Sequence, residues 1–162
     1  MGRMSVAKKL LNRGEYTNLN AFGKATEESI EEIEEFLGFP FPEDYKKFLS
    51  EYNGGTSKVR YSKFFVKELN QEIPLDVLYG IDVKRPFDLS VCCEEFEEDM
   101  LPNSLIIGDD PGSGLIVLIT DADKYGIYYW DHSFYFPQSS EEKNTYKVAD
   151  SFKEFINGLK NP

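Results

Sequence analysis

The sequence predicts an α+β fold in a single domain, a mainly antiparallel sheet of about five to six strands covered by helices. Three observations predict it. Beyond a short N-terminal stretch, helical periodicity is confined to residues 27–52, 89–98 and the last dozen residues. Three apolar runs, 105–107, 115–119 and 127–130, are separated by short polar turns, which pairs consecutive strands antiparallel. Helices and strands are therefore grouped rather than strictly alternating. The 162 residues include thirteen Phe and ten Tyr, so a core is available without metals or disulfides.

In chain order, residues 5–13 read as a short basic amphipathic helix with Val6, Leu10 and Leu11 on one side, ended by Gly14. Residues 15–25 lack a sustained period and read as an extended connection. Thr26 is a good N-cap, with Glu27 and Glu28 in the first turn of a helix over 27–37. Gly38 suits its left-handed C-cap, Pro42 suits the first turn of a second helix, and Asn53-Gly54-Gly55 stops that helix. Phe36, Leu37, Tyr45, Phe48 and Leu49 of this helix pair are expected in the core against the sheet.

Two strands are expected within 59–66 and 73–81, with Pro74 confined to a strand start or edge. Pro86-Phe87-Asp88 sets a turn and N-cap, and Leu89, Cys92, Cys93 and Phe96 recur at helical spacing, giving an inserted helix over 89–98. Phe134-Tyr135-Phe136 is read as a short strand and 138–144 as a polar loop. Asp150 or Ser151 then caps a C-terminal helix whose stripe is Phe152, Phe155, Ile156 and Leu159.

The formal charge is -11, and it is unevenly placed. Residues 1–24 carry Arg3, Lys8, Lys9, Arg13 and Lys24 against Glu15 alone, whereas 86–123 contains Asp88, Glu94, Glu95, Glu97, Glu98, Asp99, Asp109, Asp110, Asp121 and Asp123 without one Lys, Arg or His. Such a surface repels nucleic acid and anionic membrane and steers basic proteins toward itself. The same charge also serves as a solvated face that keeps a protein soluble. Cys92 and Cys93 are adjacent, so neither a disulfide framework nor a zinc site follows, and they read as buried thiols in a reducing cytoplasm. No secretory signal, myristoylation match or membrane-length apolar run is seen.

Catalytic readings each fail a chemical requirement. Asp121-x-Asp123 with Gly126 imitates the start of a calcium loop, but Tyr125 and His132 stand where oxygen ligands are needed. The glycines of 108–114 lack a following Gly-Lys-Ser/Thr, and Asp109-Asp110 would repel phosphate. His132 is the lone histidine and no G-x-S-x-G motif accompanies it. Catalytic, cofactor-binding and metal residues are accordingly expected to be none.

The run Ile33-Glu34-Glu35-Phe36-Leu37-Gly38, then Phe41-Pro42-x-x-Tyr45-x-x-Phe48-Leu49 and Asn53-Gly54-Gly55, resembles the N-terminal signature of the SUKH superfamily. That fold is shared by a fungal cell-wall-synthesis regulator and many bacterial immunity proteins. Gly108-Asp109-x-x-Gly112-x-Gly114, the strand ending Tyr128-Tyr129-Trp130-Asp131-His132, and Ser151-Phe152-x-x-Phe155-Ile156 extend the resemblance over residues 26–160, leaving 1–25 as an N-terminal extension. Phe41 departs from the Leu more common in the family.

The resemblance implies a non-enzymatic protein that binds and neutralises a cognate polymorphic or contact-dependent toxin, frequently a basic nuclease. A regulatory scaffold for a cytoplasmic partner is the alternative, and a small Asp/Glu/His132 hydrolase a more remote one. With the acidic segment, it nominates as partner-binding residues Glu94, Glu95, Glu97 and Glu98 on the inserted helix, Asp109 and Asp110 at a loop tip, and Trp130 with Asp131 at a strand end. For Trp130 a core position is an equal reading.

Overall fold

The first helix forms where the caps ask for it. In the computed structural model, which describes residues 19–57 and 61–159, α1 runs Glu27–Leu37, with the Thr26 hydroxyl accepting the Ser29 N–H at 3.0 Å and Gly38 closing it at φ 88°. Helix α2, Glu43–Glu51, begins one residue later than the sequence suggests, because Pro42 is its extended N-cap rather than its first turn. The corner between them is fixed by a contact seven residues long in sequence: the Phe41 N–H donates to the Glu34 carboxylate at 2.6 Å.

Nine strands are present among the described residues, one before the helix pair and eight after it: β1 (Leu19–Ala21), β2 (Gly55–Ser57), β3 (Lys63–Val66), β4 (Gln71–Pro74), β5 (Val77–Leu78), β6 (Ser104–Asp109), β7 (Leu115–Ile119), β8 (Gly126–Trp130) and β9 (Thr145–Ala149). Seven form one sheet in the order β1-β2-β5-β6-β7-β8-β9, every pair antiparallel, while β3 and β4 make a separate hairpin. The centre is the expected meander β6-β7-β8. β7 is buried at every position, so it reads as an unbroken apolar run rather than an alternation.

Helix α3 (Leu89–Glu95) lies on β6, and α4 (Phe152–Asn157) packs on β8, β9 and α2. An aromatic seam joins the N-terminal corner to the C-terminal helix: Phe152 sits 5.0 Å from Tyr45 and 4.9 Å from Phe48, ring centre to ring centre. Phe64 of the hairpin continues it to Phe155 and Tyr129.

Several expectations are corrected. The sheet is larger than anticipated because its edges, β1 and β9, fall in the extended connection expected over 15–25 and in residues 145–149, which the sequence assigns to no element. Each is short and partly exposed, and so carries a weak apolar pattern. The expected strand over 73–81 divides between two sheets after Pro74, which lies at the end of β4, an edge strand as expected of it. The strand expected over 59–66 begins at Lys63, with Tyr61 and Ser62 outside it, and residues 58–60, like the basic helix expected over 5–13, lie outside the described residues. Phe134-Tyr135-Phe136 is no strand: Phe134 takes φ 56°, a left-handed conformation incompatible with a ladder. Phe36, expected in the core, is 67% exposed, because the buried stripe of α1 runs through Ile30 and Ile33 to the partly buried Leu37.

Candidate protein-binding surface

The acidic segment presents its carboxylates because its apolar residues face the other way. Asp88 caps α3, accepting the Ser90 N–H at 3.0 Å, and Leu89, Cys92 and Cys93 are buried against the sheet. Glu94 and Glu95 therefore point outward. At Phe96 the helix breaks, and a 3-10 turn over Glu97–Asp99 exposes Glu97, Glu98 and Asp99 as well.

Two grooves meet on this face, sharing Phe36 and Glu94. One, of about 430 Å³, is lined by Phe36, Leu37, Phe39 and residues 100–104 with Glu94 and Glu97. The other, of about 380 Å³, brings Glu32, Asp82 and Asp88 to the opposite side of Phe36. Neither lining contains a Lys, Arg or His. An exposed ring and the 49% exposed Leu101 thus stand among five carboxylate-bearing residues.

The remaining nominated residues are placed differently. Trp130 is half-buried, its ring 5.6 Å from Phe96 and 5.4 Å from His132, so the aromatic cluster braces the back of the acidic turn. Asp131 is fully buried and corrects the expectation of an exposed charge. Its carboxylate accepts the Tyr135 and Phe136 N–H groups, each at 2.9 Å, and the Ser139 hydroxyl at 2.6 Å. It holds the 131–139 loop.

Asp109 and Asp110 do not form a free loop tip. Asp109 ends β6, and burial, opposed by a 2.7 Å hydrogen bond from the Tyr79 hydroxyl, lifts its pKa to about 6. Asp110 accepts the Gly112 and Gly114 N–H groups and the Tyr129 hydroxyl, so it organises the 110–114 turn. Burial likewise pushes the Cys92 and Cys93 thiols up, to about 11 and about 12, which keeps them protonated.

Sequence reasoning reached Glu94 and Glu97 but missed Phe36, Glu32 and Asp82. The available signal was angular: Ile30, Ile33 and Leu37 already define one helical stripe, and Phe36 stands about 100° away from Leu37. No group of His, Cys, Asp or Glu among the described residues is arranged to hold a metal ion. No helix among them is long and apolar enough to cross a membrane.

The chain is similar, at 28% identity over 92% of its length and 79% of the relative's, to the SPbeta prophage-derived uncharacterized protein YokK of Bacillus subtilis (strain 168). The sequence profile of the SMI1 / KNR4 family (SUKH-1) matches residues 24–158, which span α1 through α4. With the capped helix pair, the antiparallel sheet and the closing helix in the order the profile covers, the chain belongs to the SMI1 / KNR4 family (SUKH-1).

Proposed function

We propose that this protein is a non-enzymatic immunity protein that works in the cytoplasm, binding and neutralising a cognate bacterial toxin of basic character, a nuclease above all. One observation carries the reading: an exposed Phe36 set among Glu32, Asp82, Asp88, Glu94 and Glu97, with no cation lining either groove. Nucleases grip phosphate with Lys and Arg, so a carboxylate face is complementary to the surface that must be blocked. Desolvated aromatic anchors supply affinity at such interfaces, and the surrounding charge supplies association rate and partner choice. Family membership supports the same class of role.

The test pairs the protein with the toxin-like product of a neighbouring gene. Co-expression is expected to rescue growth, and the double charge reversal Glu94→Lys/Glu97→Lys to slow association about tenfold or more and weaken rescue. His132→Ala is expected to leave rescue intact, since the ring is packed on Phe96 and Trp130. Absence of binding to any neighbouring product, or rescue that depends on His132 alone, would refute the proposal.

A further inference from the structure

We propose that the groove between Phe36 and Leu101 seats an amphipathic helix of the partner, its apolar face on these two side chains and its Lys or Arg residues against Glu94 and Glu97. The inference rests on the reading of this face as a protein-binding surface and specifies what that surface recognises.

Three features select this occupant. First, the apolar floor is exposed and contiguous: Phe36 and Leu101 are 67% and 49% accessible, and Phe39 and Met100 continue the lining beneath them. Secondly, the side of β6 that β5 leaves unpaired over Ser104–Ile106 is met by α3, whose Cys93 takes a hydrogen bond from the Ile106 backbone, so that edge is covered. Ser104, the lining residue that belongs to a strand, is buried and paired with Ile119. Several polar groups beside it are already used: the Asn103 amide donates to Asp121 at 2.7 Å, the Asn103 carbonyl accepts the Thr120 N–H at 2.9 Å, and the Ser104 hydroxyl donates to the Leu101 carbonyl. An extended segment would find no ladder here, whereas a helix satisfies its own backbone and needs only apolar contact. Thirdly, the rim carries carboxylates alone, which favours a cationic helix and disfavours a second copy of this chain, whose Glu94 and Glu97 would oppose their own like charges.

The probe is a synthetic helical peptide with leucines along one face and lysines flanking them. Two controls are used, a scrambled peptide of the same composition and one with glutamate replacing lysine. Titration into the isotopically labelled full chain is expected to shift amides of 33–37 and 94–104, and Phe36→Ala to weaken binding about tenfold or more. The exposed position of Phe36 keeps that variant folded, which a thermal melt within a few degrees of wild type verifies.

Equal binding of the scrambled peptide, shifts confined to another face, or unchanged affinity in Phe36→Ala would each overturn the groove assignment. Self-association abolished by Phe36→Ala would instead assign the groove to a second copy and also overturn it. Growth rescue separates this inference from the immunity reading. Rescue that needs Glu94 and Glu97 but not Phe36 sinks the groove alone, while groove binding by the peptide without rescue from any neighbouring product sinks the immunity reading alone.

Discussion

Asp109 shows how a single carboxyl can be costly to its own fold. Burial disfavours its charge more than the hydrogen bonds from the Tyr79 hydroxyl and the Val77 backbone favour it, and Asp76 and Asp110 add like charge. Its pKa rises from 3.8 to about 6, so the folded chain favours the protonated form. That stabilisation is complete below the unfolded value and is lost as pH climbs through the folded one. Above it, an ionised half-buried group remains as a penalty of about 1–2 kcal/mol once partial exposure is discounted. Asp109→Asn keeps an acceptor for Tyr79 and is expected to gain about that much stability at pH 8 and none below about pH 4. Urea denaturation at the two pH values decides it, and a loss at pH 8 would contradict the argument.

Asp131 is the opposite case at the same scale, because its buried carboxylate accepts three hydrogen bonds. Asp131→Ala would strand those donors at a cost of about 2–4 kcal/mol and loosen the loop that presents the 76% exposed Tyr135. Denaturant melts and amide exchange over 133–139 measure both effects.

Among elements, the Asn53-Gly54-Gly55 turn after α2 has a mechanical role that its sequence does not announce. Asn53 sits at φ 51°, and its side chain bonds both backbone groups of Ile81, accepting the N–H at 2.8 Å and donating to the carbonyl at 2.9 Å. A side chain at Gly54 would meet the Leu78 carbonyl at 2.4 Å. The turn thereby ties the N-terminal helix pair to the chain leaving β5. Asn53→Ala removes two buried bonds and a residue tolerant of the left-handed region, so a loss of about 2–4 kcal/mol is expected in equilibrium unfolding. A change under about 0.5 kcal/mol, the range of ordinary surface substitutions, would refute the tie.

For the whole molecule, charge governs the encounter with a partner while the core governs its shape. A net charge of -11 with carboxylates gathered around Phe36 predicts association that slows steeply as salt rises, with dissociation changing little. Stopped-flow mixing with the proposed toxin partner across a salt series measures this, and a flat series would remove the steering argument.

The sequence alone determined what local rules control. The caps at Thr26, Gly38 and Asp88, the helical stripes and the β6-β7-β8 meander follow from spacing and capping chemistry, and the cation-free acidic segment is plain from composition; between Asp150 and Ser151 as the last cap the structure selects Ser151. The family signature is legible for the same reason. Tertiary structure alone decided which surfaces meet. It turned Phe36 outward, buried Asp131, engaged Asp109 with Tyr79 and Asp110 in a turn, and carried Glu32 and Asp82 beside Glu94. It also recruited β1 and β9 as sheet edges. Exposure depends on what a distant element covers, and periodicity records only which residues share a face, not whether another part of the chain arrives to bury it.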